Sequence, residues 1–312
     1  MTADDRMFVF DRRAVRRHRE RAAHGWPRHS FLVEEVAERL ADRLLDVNRS
    51  FPLALDLGAH GGETGRRILG VKGVERVVAM DLAHGLVARA DGPAVVGDEE
   101  ALPFADAAFD LVVSTLSLHG TNDLPGALIQ ARMALKPDGF FLGAMLGGET
   151  LFELRRALME AEMESLGGLS PRLSPFAEVR DAGALLQRAG FALPVVDSET
   201  ITVAYRDPLA LMRDLRAMGE TNAVLARVRR PPPRDLFPRA VEHYVRLFAE
   251  PDGRVPATFQ ILWLAGWAPA ETQQQPARRG SADVRLADAL GTVERPAGER
   301  AGAPLPSRPG KA

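Results

Sequence analysis

Five short apolar segments, separated by helix-length or turn-rich stretches, constrain what this chain can fold into. They are PLALDLG (52–58), RVVAMDL (76–82), AVVGD (94–98), FDLVVSTLSL (109–118) and GFFLGAML (139–146). Mostly apolar runs of this length are typical of parallel strands buried on both faces of a sheet. Strands that alternate with helices are joined by right-handed crossovers. The pattern therefore predicts an α/β fold with a doubly wound sheet, whose ligands bind beyond the carboxyl ends of the strands.

The segments on either side of this core predict further elements. Amphipathic helices are expected at 31–47, 149–166 and 176–191, and two more strands at 195–205 and 257–267. Helical patterns between those two strands, at about 206–250, are interpreted as a cap over the sheet. The resulting organisation is an N-terminal helical lead (1–50), one domain with its cap (51–268) and a tail (269–312). The tail has no aromatic residue and is expected to be disordered.

The composition excludes several classes of function. The chain has 312 residues and no cysteine, which rules out disulfides, thiolate zinc sites, iron–sulfur clusters and thiol nucleophiles. Its formal net charge of -2 gives no overall attraction to nucleic acid or to an anionic membrane. The seven histidines lack the paired spacing of a helical metal site, so we expect no metal. The absence of a long apolar span or a secretory signal predicts a cytoplasmic protein.

A run of arginines stands near the start of the chain. Six arginines lie between Arg12 and Arg21, interrupted by Glu20. Such runs are usually a solvated helix face, and that is our interpretation, with contact to an acidic partner as the alternative.

The sequence LALDLGAHGGETG (53–65) predicts a strand that enters a glycine-rich turn. Gly58 and Gly62 would let backbone amides face a ligand. Asp81 ends the second strand about twenty residues later, where a carboxylate accepts hydrogen bonds from ribose hydroxyls, with an ordinary surface aspartate as the alternative. Asp98 ends the third strand, where it would accept a bond from an adenine amino group. The loop lacks the dinucleotide signature and a Walker lysine, so the prediction is an adenosine pocket, with Leu102 and Phe104 as its apolar walls.

These segments resemble a known family. LALDLG, AMDL, DEEALPF, FDLVVSTLSLH and LKPDGFF, over about residues 50–146, are similar to the motifs of class I S-adenosylmethionine-dependent methyltransferases. FDRR, LSLHGTNDLPGAL, GAMLGGETLFELR, GGLSPRLSPF, DLRAMGETN and DGRVPATFQI extend the resemblance, over about residues 8–267, to the mitochondrial complex I assembly factor 5 family and its alphaproteobacterial relatives. The malonyl-carrier-protein methyltransferases of biotin synthesis resemble the chain more distantly.

The resemblance implies a cofactor, a partner and a set of binding residues. The cofactor would be S-adenosylmethionine, and the activity would be hydroxylation of an arginine in the complex I subunit that carries the terminal iron–sulfur cluster. The protein substrate would then be the iron–sulfur subunit of NADH-quinone oxidoreductase. The implied cofactor-binding residues are Asp56, Gly58, His60, Gly62, Asp81, Leu82, Asp98, Glu99 and Leu116. The open alternatives are a conventional methyltransferase acting on a protein or a small acid, and a non-catalytic assembly factor with an impaired cofactor loop.

The chain departs from the family pattern at two points near the expected cofactor. His60 replaces the central glycine of the loop, and Gly120 with Thr121 follows His119 where relatives usually have a tryptophan and a small apolar residue. A histidine at position 60 puts a β-carbon where backbone usually approaches the methionine moiety, but it could also hydrogen-bond the cofactor carboxylate. Because the other glycines and both aspartates remain, we expect binding to survive.

Three residues after the predicted strands are candidates for catalysis. His119 would orient a guanidinium or accept a proton, with a packing role as the alternative. Asn122 follows it, and Glu149 comes directly after the fifth strand, where a carboxylate suits an arginine partner. The alternative for Glu149 is an acid in the first turn of a helix, favoured by the helix dipole.

Overall fold

The protein is built around one seven-stranded sheet, seen in a computed structural model that describes residues 8–273 and 284–293. The strands are β1 (Leu53–Leu57), β2 (Arg76–Asp81), β3 (Ala94–Val96), β4 (Phe109–Thr115), β5 (Leu135–Leu146), β6 (Ala192–Tyr205) and β7 (Val255–Trp267). Their order in the sheet is β3-β2-β1-β4-β5-β7-β6. The first five strands are parallel, and β7 runs antiparallel to both β5 and β6. The predicted doubly wound α/β fold is confirmed.

Helices pack on both faces of this sheet. They are α1 (Arg12–Ala23), α2 (Phe31–Leu45), α3 (Glu63–Ile68), α4 (His84–Val87), α5 (Leu124–Ala134), α6 (Phe152–Leu166), α7 (Val179–Arg188), α8 (Pro208–Ala217) and α9 (Leu236–Phe248). A further short helix, α10 (Leu286–Ala289), lies outside the compact unit that ends at Glu271. Buried residues of α2, α6, α8 and α9 join one core cluster, and those of α5 and α7 join a second. The helices α8 and α9 stand where the cap was predicted. No helix in the described ranges is long and apolar enough to span a membrane.

The register of β1 brings the loop residues and the acidic residues to the same end of the sheet. β1 pairs with β2 on one side and with β4 on the other, which makes it the point where strand order reverses. Leu57 lies opposite Met80, and the backbone amides of Gly58 and Ala59 both donate to the Met80 carbonyl at 2.8 and 2.9 Å. The glycine turn and Asp81 are therefore neighbours at the carboxyl end, where ligands of such sheets bind.

Several strands differ from their predicted bounds, and the differences in β4 and β5 lie beside the site. β4 ends at Thr115 rather than residue 118, because Leu116 has a φ of +49° and the chain then forms a short 3-10 turn at Leu118–Gly120. β5 begins at Leu135 rather than residue 139, since Leu135 pairs with Phe109 ahead of a shift in register. The early turn after β4 directs residues 116–120 across the carboxyl end of the sheet.

The predicted tail is described only in part. Residues 284–293 contain the four-residue helix α10. Residues 274–283 and 294–312 lie outside the described ranges, so the expected disorder of the tail stays a prediction.

Candidate active site

The glycine turn between β1 and α3 depends on two glycines. Gly58 has a φ of +72°, and a β-carbon there would lie 2.0 Å from the Ser117 Oγ atom. Gly62 has a φ of +83°, and a β-carbon there would lie 2.8 Å from the Cα atom of Ala90. Since both positions require a left-handed conformation and close approach, only glycine fits them.

His60 is folded inward over the strand ends. It is 3% exposed, has a φ of +49°, and its ring stacks on Trp26 at 5.3 Å between centroids. Its Nε2 atom lies 2.9 Å from the Thr115 carbonyl and 3.2 Å from the Leu116 carbonyl. Because both partners accept, Nε2 carries the proton and Nδ1 is the acceptor. Nδ1 has no hydrogen-bond partner among the described residues.

Asp56, in β1, holds the segment that follows the glycine turn. One carboxylate oxygen accepts the Gly65 amide at 3.0 Å, while the other has no partner in the described part of the chain. Burial is the main influence on this carboxyl, and it raises the pKa of Asp56 to about 7. Asp56 therefore fixes the start of α3. Its predicted contact with a cofactor stays a prediction.

Asp81 is held by an arginine from α1. Arg19 is 5% exposed and donates to an Asp81 oxygen at 2.8 Å and to Glu99 at 3.3 Å. The same Asp81 oxygen accepts the His60 amide at 3.1 Å, and its other oxygen accepts the Ala83 amide at 2.8 Å. Burial raises the pKa of Asp81 above its usual range, although Arg19 opposes the shift. Three of the roughly four acceptor positions of the carboxylate are thus engaged within the chain.

Glu99 and Asp98 bind the second arginine of α1. Arg12 pairs with both carboxylates, and its other terminal nitrogen donates to the Gly120 carbonyl at 3.0 Å. Glu99 also accepts from the Ser117 hydroxyl and is 1% exposed. Burial opposes ionisation of Glu99, but Arg19 and Arg12 outweigh it and lower the pKa of Glu99 below its usual range. The carboxylates on neighbouring strand ends therefore form one partly buried ion cluster with α1, which we call the α1 ion cluster (Arg12, Arg19, Asp81, Asp98 and Glu99).

The α1 ion cluster corrects our interpretation of the arginine run. Arg13, Arg16, Arg17 and Arg21 are exposed, as a solvated helix face predicts, whereas Arg12 and Arg19 turn toward the sheet. The helical period places positions 12 and 19, seven residues apart, on one face of α1. That spacing was visible in the sequence, but the acidic residues it meets are more than 60 residues away along the chain.

The remaining predicted cofactor contacts are apolar. Leu82 is 8% exposed at the end of β2, and Leu116 forms the bend after β4. Leu102 and Phe104, the predicted walls, are partly buried against the core cluster that holds α5 and α7. Leu82 and Leu116 stand at the strand ends that carry the acidic residues, whereas Phe104 packs edge-on against Phe109 at the amino end of β4, at 5.1 Å between centroids.

A partly open cavity lies beside the α1 ion cluster. Its empty volume of about 650 Å³ includes open solvent at its mouth, and most of its walls are apolar. Its polar side chains include His60, His119, Arg172 and Glu220. A second cavity of about 390 Å³, lined by Arg19 and Ser117 among others, shares His119 and Glu220 with the first. These two residues therefore stand between the α1 ion cluster and the apolar cavity.

The three catalytic candidates are not brought together. His119 lines the cavity, and its Nε2 atom lies 3.3 Å from a Glu220 oxygen. Asn122 instead binds the N-terminal segment, accepting the Val9 and Phe10 amides at 2.8 and 2.7 Å. Glu149 is exposed, and its amide donates to the Gln260 side chain at 3.0 Å. Asn122 and Glu149 are outside the lining of the cavity that holds His119. Sequence reasoning missed Glu220, although Glu220 lies within DLRAMGETN (214–222), one of the segments that carry the family resemblance.

The residues at the strand ends have the chemistry that an adenosine-containing cofactor needs. In this conformation they are already bonded to other residues of the chain. The glycine turn and carboxylates on successive strand ends form the donor and acceptor set that the sequence predicted. Arg19 takes the Asp81 oxygen that a ribose would use, and His60 covers the ends of β1 and β4. A ribose hydroxyl pair therefore needs Arg19 to leave Asp81. No group of three or more acidic, histidine or cysteine side chains in the described ranges has a metal-holding arrangement.

His60 gives the folded state a measurable sensitivity to acid. Burial, followed by the nearby charge of Arg19, lowers the pKa of His60 from 6.5 to about 3. The unfolded chain therefore takes up this proton first, and stability present above pH 6.5 is lost as the pH falls toward 3. The free energy of unfolding, measured by urea denaturation, should fall between pH 7 and pH 4 in both proteins. In His60→Gln this fall should be smaller than in the wild type by about 2–3 kcal/mol.

The matched control is His24→Gln, because His24 is an exposed histidine just after α1. This control should follow the wild-type pH dependence. Equal pH slopes for His60→Gln and the wild type would contradict a buried neutral imidazole.

Known proteins resemble this chain in fold and in sequence. The family model of a methyltransferase domain matches residues 55–143. The solved YcgJ protein of Bacillus subtilis superposes with a TM-score of 0.53 at 16% identity, over 74% of this chain and 98% of that one. A malonyl-[acyl-carrier protein] O-methyltransferase of Halorhodospira halophila is 36% identical over 88% of this chain and 94% of its own length.

A closer likeness covers most of both proteins. The mitochondrial arginine hydroxylase NDUFAF5 of Danio rerio is 46% identical over 289 residues, which are 90% of this chain and 89% of that protein. The likeness therefore extends well beyond the methyltransferase domain, into the helices that surround the cavity. The chain belongs to the NDUFAF5 arginine-hydroxylase family, a family with a methyltransferase fold.

Proposed function

We propose that the protein is an S-adenosylmethionine-binding enzyme that hydroxylates an arginine side chain of a respiratory complex I subunit. The main support for this proposal is the 46% sequence identity to an arginine hydroxylase over 90% of the chain. The methyltransferase domain alone, at residues 55–143, supports the cofactor class but not the acceptor. Much of the cavity comes from outside that span, for example Trp26, Phe176 and Glu220, which supports a shared acceptor as well.

The acceptor subunit is a finer part of this proposal. We propose the iron–sulfur subunit of NADH-quinone oxidoreductase, since the chain resembles complex I assembly factors from residue 8 to residue 267. The place of action would be the bacterial cytoplasm, where the protein meets that subunit before or during assembly.

Cofactor binding in this proposal is an exchange of partners at Asp81. Asp81 and Asp98 would hold the ribose and the adenine amino group, and the amides of the glycine turn would face the methionine part. Arg19 then leaves the Asp81 carboxylate and keeps Glu99 and Ser117, which it already contacts at 3.3 and 3.1 Å. His60 remains on the strand ends or turns away with the loop.

Arg19→Met tests this exchange because it should change stability and affinity in opposite directions. Removing one partner of a buried ion pair should lower the free energy of unfolding by about 3–5 kcal/mol. The same change frees Asp81 from competition, so the dissociation constant for S-adenosylhomocysteine should fall about tenfold, the equivalent of one hydrogen bond to a charged group. Calorimetric titration and urea denaturation measure the two effects.

Arg16→Met is the matched control, since Arg16 is an exposed arginine of the same helix. It should change neither quantity, and Asp81→Asn should weaken binding. If Arg19→Met bound S-adenosylhomocysteine more weakly than the wild type, the proposed exchange of partners at Asp81 would be wrong. Arg19 would then be a contact of the cofactor.

The reaction itself is distinguished by the atoms added to the acceptor. Hydroxylation replaces a C–H bond by C–OH and needs a two-electron oxidant, for example dioxygen with two electrons and two protons, which leaves water. Methyl transfer instead replaces an N–H or O–H proton by a methyl group and leaves S-adenosylhomocysteine. The O-methyltransferase relatives, at 36% identity for the one from Halorhodospira halophila, favour this second candidate.

Peptide mass spectrometry of complex I subunits tests the function directly. Cells that lack the gene should lose the mass of one oxygen atom from an arginine-containing peptide, and expression of the wild-type chain should restore it. A mass difference of one CH₂ group would establish methyl transfer instead. Unchanged peptide masses together with impaired assembly would leave the non-catalytic assembly factor as the function.

A further inference from the structure

The cavity beside the α1 ion cluster has apolar walls and a polar boundary. Apolar walls surround most of it, among them Leu146, Leu173 and Phe259. The polar residues His119 and Glu220 are shared with the second cavity, toward Arg19 and Ser117. A side chain that enters would thus have its stem against apolar surface and its end beside those two residues, as pockets with few polar groups commonly arrange their ligands.

The charge of this cavity is set by a carboxylate. Arg172 also lines the cavity, but it donates twice to one Glu162 oxygen, at 2.7 and 3.0 Å, so its charge is paired. His60 is neutral near pH 7 because its pKa lies at about 3. Burial opposes ionisation of Glu220, yet His119 and Arg19 outweigh it and lower the pKa of Glu220. Glu220 is therefore an ionised carboxylate in largely apolar surroundings.

Glu220 has room for a further partner. Within the described residues its side chain accepts one hydrogen bond, from His119 Nε2 at 3.3 Å. One third of its side-chain surface, 33%, is accessible. A carboxylate has about four acceptor positions, so a group with two parallel N–H donors can still bind in the bidentate manner.

His119 holds the direction of that carboxylate. Its ring meets Phe176 edge-on at 5.7 Å between centroids, and its side chain is 5% exposed. Because the Glu220 carboxylate only accepts, the Nε2 atom of His119 is the donor in this pair. Its Nδ1 atom is buried and has no partner among the described residues, so nothing there draws the ring away from Glu220.

We infer that Glu220, positioned by His119, binds the guanidinium group of the acceptor arginine in this cavity. The inference rests on the proposed function and assigns the residue that determines its specificity. A guanidinium offers planar paired donors that match a carboxylate, whereas the ammonium of lysine is a single point of charge. A substrate with a carboxylate would instead meet a like charge in a medium of low dielectric constant. The cavity therefore favours an arginine over the small acid of the alternative function.

The test measures the binding of blocked amino acids to the full chain. Binding is detected by saturation-transfer NMR. The probes are Nα-acetyl-arginine methylamide and its neutral, nearly isosteric citrulline analogue, each titrated with S-adenosylhomocysteine present and absent. The wild type should bind the arginine probe about tenfold more tightly than the citrulline probe, as expected for a hydrogen-bonded charge pair. Glu220→Gln should remove this preference, and Glu220→Asp, which keeps the charge, should retain part of it.

Glu75→Gln is the matched control, because Glu75 is an exposed carboxylate just before β2 and outside the cavity lining. It should leave the preference unchanged. Equal affinity of the wild type for the two probes, or no binding of either, would overturn the inference. A preference that survives in Glu220→Gln would overturn it too, even if that variant melts at a lower temperature.

Failure of the inference can be separated from failure of the proposed function. If Glu220→Gln restores the oxygen mass on the complex I peptide as fully as the wild type, Glu220 is not the guanidinium site but the function stands. If the arginine preference depends on Glu220 while no peptide changes mass, the binding site stands and hydroxylation fails.

Discussion

The ion pair between Arg19 and Asp81 is the contact on which the rest of the site depends. It joins α1 to the end of β2 at 2.8 Å, and its two side chains are almost fully buried. Removing one partner of such a pair leaves an uncompensated buried charge, which is far more costly than losing a surface pair. Through Glu99 and Ser117 the same guanidinium reaches the ends of β3 and β4. One side chain therefore holds the N-terminal helix against three strand ends of the sheet.

The charged α1 ion cluster and the largely apolar cavity lie next to each other. The α1 ion cluster brings three carboxylates and two guanidiniums together, an excess of one negative charge when all are ionised. The adjoining cavity is apolar apart from a few groups, and Glu220 with His119 stands at its boundary with the cluster. This separation suits a protein that must place a polar cofactor and a long cationic side chain next to each other. The His60 ring is accommodated within the folded turn by Trp26 and two carbonyl acceptors.

Much of this architecture was predictable because it is written in local patterns. Apolar runs predicted every strand of the sheet, although not all of their ends, and the glycines at 58 and 62 predicted a turn that only glycine can form. Asp81 and Asp98 were found because the carboxyl ends of parallel strands converge at one place. Arg19 and Glu220 were not found, since each acts through partners that are 62 and 101 residues away. Helical spacing showed that Arg12 and Arg19 share a face, but not that the face meets carboxylates. The end of β4 was missed because a left-handed leucine at 116 has no sequence signature.

In the proposed complex, Asp81 exchanges Arg19 for the cofactor. A crystal structure of the complex with S-adenosylhomocysteine measures this most directly, through the distance between Arg19 Nη1 and the Asp81 carboxylate. We predict that this distance rises from 2.8 Å to beyond hydrogen-bonding range, while ribose hydroxyls occupy Asp81 and Arg19 stays with Glu99. An intact Arg19–Asp81 pair in a structure with bound cofactor would contradict it.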